Sequence, residues 1–424
     1  MIYDAAFALL LRLRLPTVPS RARQPRPAHP KMAADGAALD WLVGTFAPSA
    51  LRWTALAAGQ IDELRGALRL IHSATVFGTD AEAVQLPAWT QRLQQLCRSA
   101  IPDVRWAACC LVGATARTAS TESFQAHSAA WLALLLPLTK TSEPQTVQCI
   151  AASAATDILA RCQGCAQQAK IDAPAALTRL MPALAALRGV AQHQAEALKA
   201  TFAMLRAGGN PLRPYAAEIE QSCTGLLDSG SDEVRQSAAL CLGSIPTITA
   251  SPKDDFADWL TLLRKLTDQL RTLFDQWLPA PAAAASSQRG AAKPGISGPV
   301  EDGMVALRRV NGLCIAIGSM LHLPFVGLVQ VPLGDLIQLI SRVLRVSQPA
   351  AHGEEGKATV LPKLHAEVLR LLGVVAKAAG RRLLPFAASL GEMLRVAICR
   401  PVSCTHTSCR VPFCRVLLAI ELTR

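Results

Sequence analysis

Apolar residues along this chain recur every three or four positions, the spacing of one helix face, and strict alternation of the strand type is missing. The stretch DWLTLLRKLTDQLRTLFDQWL shows it best. Trp259, Leu262, Leu263, Leu266, Leu270, Leu273, Phe274 and Trp277 fall at steps of three, four and seven and make a single apolar face. Ser251-Pro252 followed by Asp254 and Asp255 gives this helix a start signal. The same period predicts helices over Met304–Leu323, Leu333–Val346, Val360–Ala379 and Leu383–Ala397. It lapses in PAPAAAASSQRGAAKPGISGPVED and again in SQPAAHGEEGK, two stretches of Pro, Gly, Ala and Ser that read as loops.

A longer period lies over the helical one. DVRWAACCL around Val104 and DEVRQSAALCL around Val234 share an acid, Val, Arg and paired alanines. PQTVQCIAASA at Val147 and RGVAQHQAEAL at Val190 fall between them, at intervals of 43, 43 and 44 residues. Such a period belongs to HEAT and armadillo arrays. An acid early in a helix complements the helix dipole, and small alanines let neighbouring helices approach closely. A helix pair cannot bury its apolar face alone, so stacking follows. The expected fold is all-α, a HEAT/armadillo-like α-solenoid. Its expected organisation is a disordered basic segment over 1–35, helical repeats over 36–278, a flexible Pro/Ala/Gly-rich loop over 279–302, and further repeats over 303–424. Exposed loops are expected at 347–358 and 398–411.

Composition agrees with helix-on-helix packing. Hydrophobic residues reach 51% while aromatics are only 4%, so Leu, Ala and Val must fill the core. The net charge is +12, concentrated in the first 31 residues through Arg12, Arg14, Arg21, Arg23, Arg26 and Lys31 against Asp4. Spread over the remainder, the excess is a solvated basic surface that tolerates nearby acidic partners or RNA. Arg12 and Arg14 interrupt the leading apolar run, which argues against a secretory signal; Met32 is an alternative start. Asn311–Gly334 lacks Asp, Glu, Lys and Arg and is long enough to span a bilayer. Pro324, Pro332, His322 and Gln330 make it read instead as two buried helices joined by a loop, with no membrane partner.

No catalytic or cofactor-binding constellation emerges. GEEGKAT has Ala351 where a phosphate-binding loop needs its first glycine and Ala358 where it needs Ser or Thr. AASLG around Ser389 lacks the leading glycine of a nucleophile elbow. The 13 cysteines include Cys109, Cys110, Cys149, Cys241 and Cys314 on apolar helical faces, where free thiols pack as small hydrophobes. Cys162 and Cys165 form a lone CxxC, and Cys399, Cys404, Cys409 and Cys414 around His406 lack the close pair that zinc sites favour. The latter set reads as a thiol-bearing loop; a zinc-dependent RNA-binding module is the competing reading. Leu132, Leu135 and Leu136 form an LxxLL pentad, whose leucines can dock into a groove or fill repeat core.

Beyond the Pro/Ala-rich loop, VQVPLGDLIQLISRVLRVS, LPKLHAEVLRLLG and GRRLLPFAASLG resemble the N-terminal helical region of the Rix-type pre-rRNA-processing family. The positions that carry the likeness are Val331, Pro332, Arg342, Leu361, Pro362, His365, Glu367 and Arg382. Val104–Leu132, the Trp259 helix and Ala306–Leu321 follow in the same order. The resemblance implies a non-enzymatic scaffold without cofactors in the nucleolus and nucleus. Its implied work is large-subunit assembly on pre-60S particles and processing of the second internal transcribed spacer. Implied partners are a WD-repeat propeller, a second helical-repeat subunit and a midasin-type AAA ATPase, with indirect contact to rRNA. The alternatives are an importin-like adaptor and, through the LxxLL pentad, a nuclear-receptor coregulator. The family's Pro-rich acidic tail has no counterpart here, and the chain stops in RVLLAIELTR, the pattern expected of a fragment or a divergent gene model.

Overall fold

The computed structural model describes residues 80–164, 173–208, 210–249, 257–277, 300–322, 331–346 and 355–399. Every regular element among them is helical. The chain divides into two units, Met1–Pro211 and Leu212–Arg424.

The first unit contains α1 (Asp80–Cys97), α2 (Pro102–Thr118), α3 (Thr121–Leu135), α4 (Gln145–Gly164), α5 (Ala173–Arg188) and α6 (Gln194–Gly208). Helices α2, α4 and α6 pack side by side as an inner row, and α1, α3 and α5 each pack on their own inner partner. Local chemistry sets the boundaries. Pro102 opens α2, where a missing N–H costs nothing, and the Ser120 side chain accepts from the Ser123 N–H to cap α3. Inner helix α4 lies between two others, and Ala151, Ala152, Ala154 and Ala155 are all fully buried. Consecutive buried positions mean burial on every face, which only small side chains allow at close helix spacing. Larger groups fill the space between the rows: Trp89, Phe124 and Trp131 are completely buried.

The second unit contains α7 (Ala216–Gly225), α8 (Asp232–Ser244), the single turn α9 (Pro246–Thr249), α10 (Ala257–Trp277), α11 (Val300–His322), α12 (Leu333–Arg345), α13 (Glu355–Ala379) and α14 (Ala387–Cys399). Its inner row is α8, α11 and α13, backed by α7, α10 and α12, and α14 packs on α12. Close approach between α8 and α11 depends on glycine: a Cβ on Gly243 would stand 2.7 Å from the Ala316 carbonyl oxygen, inside any real contact. The apolar face predicted for α10 is the buried one, with Trp259, Leu263, Leu266, Leu270 and Phe274 in the core.

The HEAT-type α-solenoid reading therefore holds, with three differences of detail. Val104, Val147 and Val234 are each the third residue of an inner helix and are buried, but Val190 sits in the turn before α6. The buried position in α6 is Ala197, so the third repeat is shifted by its longer turn. Helix α11 begins at Val300 and α13 at Glu355, inside stretches that sequence reads as loop. Pro362 lies within α13, where packing against α11 and α12 outweighs the proline. The Gly303–His322 stretch is long and apolar enough to cross a membrane, and its Leu313, Ala316 and Ile317 are buried in the inner row. Residues 1–79 with the basic segment, the Ser251–Asp255 start signal, Cys165, and Cys404, His406, Cys409 and Cys414 lie outside the described residues.

Candidate functional site

The inner rows carry the polar residues that the repeat motif places at fixed positions. In α2, Arg105 donates through Nε and Nη2 to Glu143 at 3.0 and 2.6 Å and through Nη1 to the Ser99 carbonyl at 2.7 Å. In α8, the equivalent Arg235 donates to the carbonyl of Ser229, again six residues back, at 3.1 Å. Gln148 in α4 and Gln194 in α6 perform the same task, donating to Glu143 and Arg188 carbonyls at 2.5 and 2.8 Å. Helices α2, α4, α6 and α8 thus each use a long donor near their start to satisfy a carbonyl shortly before it. A buried carbonyl left without a donor is costly.

From Arg235 the second unit continues differently. The guanidinium pairs with Asp232 and donates from Nε to Asn311 Oδ1 at 2.9 Å. Asn311 in turn donates from Nδ2 to Glu367 Oε2 at 2.7 Å, and Glu367 pairs with Arg370. A single polar chain therefore crosses α8, α11 and α13, with Arg235 only 7% exposed. Because Arg235 can only donate and Glu367 only accept, the Asn311 amide has one satisfactory orientation. Arg309 adds a 2.8 Å ion pair to Asp228.

The first unit has shorter ties. Arg161, in the last turn of α4, donates to the Ala119 carbonyl at 2.6 Å and the Ala116 carbonyl at 2.5 Å, and its guanidinium lies 4.4 Å from the Phe124 ring centroid. It covers the exposed carbonyls at the end of α2, the negative end of that helix. Trp89 Nε1 donates to Thr115 at 3.0 Å and Arg188 to Thr201 at 3.1 Å. Asp157 is the exception: its nearest cation, Arg117, is 4.0 Å away. Burial pushes its carboxyl up to about 6, only partly opposed by Arg117.

The family-like positions lie just before α12, in α12 and α13, and in the 3-10 segment Gly380–Phe386 that follows α13. Pro332 precedes the first residue of α12, and Arg342 ties α12 to α10 through Asp275. Leu361 is buried, and His365 Nε2 lies 3.1 Å from the Val343 carbonyl oxygen, joining α13 to α12. Glu367 ends the polar chain. Val331 and Arg382 line a cavity of about 280 Å³ with Leu321, Leu333, Val375, Ala378 and Ala379. Arg342, His365 and Glu367 therefore hold helices to one another, and Arg382 faces solvent. In the LxxLL pentad, which sequence reads as either docking motif or repeat core, Leu132 and Leu135 are buried inside the unit and Leu136 is half-buried.

Cys97, Cys109, Cys110, Cys149, Cys223, Cys241 and Cys314 are buried free thiols. Burial raises the Cys110 and Cys149 thiols to about 12, which leaves them unreactive as nucleophiles. Among the described residues no group of three or more metal-ligating side chains comes together. What sequence reading missed was the partner choice: Arg105 and Arg235 stand in the repeat motif, but Glu143, Asn311 and Glu367 carry no periodic mark.

A family model described as rRNA processing/ribosome biogenesis, RIX1, matches residues 50–234. The chain is 24% identical over 317 residues to the Xenopus laevis proline-, glutamic acid- and leucine-rich protein 1, covering 72% of this chain and 31% of that protein. The Mus musculus protein of the same name is 27% identical over 309 residues, covering 68% and 27%. The chain thus spans less than a third of the length of these curated relatives. Both alignments are longer than the family-model match, so they reach beyond it. Among solved structures, the Rix1 subcomplex of a Rix1-Rea1 pre-60S particle matches with a TM-score of 0.62 at 14% identity, over 91% of this chain and 73% of that one. Importin beta matches with a TM-score of 0.51 at 15% identity, over 91% and 45%.

Proposed function

We propose that this chain is a non-enzymatic scaffold for assembly of the large ribosomal subunit, acting in the nucleolus and nucleus. The observation that carries the reading is the ribosome-biogenesis family match over residues 50–234. Likeness of fold to a subunit of a pre-60S particle, closer than that to importin beta, supports it. So does the kind of surface present: helical repeats offer long grooves to proteins. On this reading the repeats run over 36–278 and 303–424. The partners are a WD-repeat propeller, a second helical-repeat subunit and a midasin-type AAA ATPase, with rRNA contacted indirectly on the pre-60S particle.

The finer expectation concerns the second internal transcribed spacer. Depleting the protein and probing precursor RNA should show accumulation of species that retain this spacer, with a fall in mature large subunits. An unchanged precursor pattern contradicts the proposal. An importin-like adaptor is the second reading, favoured by the importin beta fold likeness; it predicts binding to a small GTPase. Burial of Leu132 and Leu135 weighs against the coregulator alternative.

A further inference from the structure

The cavity at the end of α13 has chemistry beyond its packing. Val375 forms its fully buried floor; Leu321, Val331, Leu333 and Ala379 are half-buried walls, and Ala378 is at the open side. At about 280 Å³ it has room for one large apolar side chain. Gly380 ends α13 at φ +51°, a conformation suited to glycine, and turns the chain into the short 3-10 segment Gly380–Phe386. That turn brings Arg381 and Arg382 directly after the cavity's Ala378 and Ala379, with Arg382 in its lining. Both arginines are exposed, as is Lys377, and among the described residues none of the three has a carboxylate partner. Leu384, in the same segment, is 67% exposed.

Three other cations in this part of the unit are engaged. Arg342 pairs with Asp275, Arg370 with Glu367 and Arg395 with Glu392. Lys363 is also exposed and has no carboxylate partner among the described residues, and it shares one helix stripe with Arg370 and Lys377 at seven-residue steps, about 10.5 Å apart. Asp335, two residues beyond Leu333, is the acid nearest in sequence to the lining, and it is outnumbered.

We infer that this surface docks an acidic peptide segment of a partner protein, one large apolar side chain entering the cavity and flanking carboxylates meeting Lys377, Arg381 and Arg382. The apolar cavity favours protein over nucleic acid: no aromatic platform lines it for base stacking. The inference goes beyond the assembly reading and stands on its own chemistry, so failure of either leaves the other testable.

The test uses the whole chain and a fluorescein-labelled synthetic peptide in which a Leu-Phe pair is flanked by glutamates, followed by fluorescence anisotropy. Binding should weaken with added salt. The triple variant Lys377→Glu, Arg381→Glu, Arg382→Glu should weaken it about tenfold or more, and Ala378→Trp, which blocks the cavity mouth, about fivefold. All substituted residues are exposed, and circular dichroism of each variant checks that the fold persists. Equal binding of a peptide with Gly-Gly in place of Leu-Phe would overturn the inference by showing charge attraction alone. An oligouridine RNA that outcompetes the peptide would overturn it in favour of nucleic acid. Absence of peptide binding, with Ala378→Trp lowering the melting temperature, would mean that the chain fills the cavity itself.

Discussion

The two units share a repeat but not a way of satisfying buried polar groups. In the first, each tie is short and separate: Arg105 with Glu143, Arg161 with two carbonyls, Arg188 with Thr201. In the second, Asp232, Arg235, Asn311, Glu367 and Arg370 form one chain through three inner helices. Separate ties leave room for a poorly matched member, and Asp157 is that member. A continuous chain is well satisfied but fails as a whole when one link is removed. Stability in the first unit should therefore be divisible among residues, and in the second concentrated in few.

The largest expected effect tests that concentration. Arg235→Met removes the donor shared by Asp232, Asn311 and the Ser229 carbonyl and should cost about 3–5 kcal/mol. Hydrogen exchange read peptide by peptide should show protection lost in α8, α11 and α13 together. Arg105→Met should cost less, about 1–2 kcal/mol, with losses confined to the start of α2 and the 140–148 turn. Equal costs would break the comparison.

Next comes close packing. Gly243→Ala should cost about 1–3 kcal/mol in a urea titration, because the added Cβ meets the Ala316 carbonyl oxygen and Ser319 Cβ, both at 2.7 Å. An unchanged midpoint would show that α8 and α11 move apart freely.

Asp157 sharpens the contrast from the other side. Its folded carboxyl is raised from 3.8 to about 6, by burial first and with Arg117 opposing. The native state then binds a proton more tightly than the unfolded one. The resulting stability is complete below about pH 4 and is lost as pH rises through about 6, by at most about 3 kcal/mol. Asp157→Asn should raise the urea midpoint at pH 7.5 and flatten its decline between pH 4 and 6; a lower midpoint would mean that Arg117 is a true partner. The smallest effect belongs to the exposed Arg271–Asp268 pair, where Arg271→Ala should change stability by no more than about 0.5 kcal/mol.

Much of this architecture is legible before any coordinates. The apolar stripe of α10 and the motifs at Val104, Val147 and Val234 report helices and their stacking directly, because burial repeats with the helix and with the array. Val190 misleads, since a longer turn shifts the third repeat while leaving a similar valine near the expected position. Glu355–Thr359 begin inside a stretch that local composition reads as loop, yet they open α13. Arg235 and Asn311 are 76 residues apart. Nothing in their neighbourhoods marks the pairing, since a hydrogen bond between stacked helices depends on register that sequence spacing does not encode. The cavity at Arg382 was hidden for the same reason, being formed by the ends of α11, α12 and α13.

The proposed assembly role is tested by affinity purification of the tagged chain from nuclear extract followed by quantitative mass spectrometry. Large-subunit precursor proteins should be enriched together with a WD-repeat propeller and a midasin-type ATPase. Recovery of a small GTPase and transport cargo, without any ribosome-assembly factor, would contradict it.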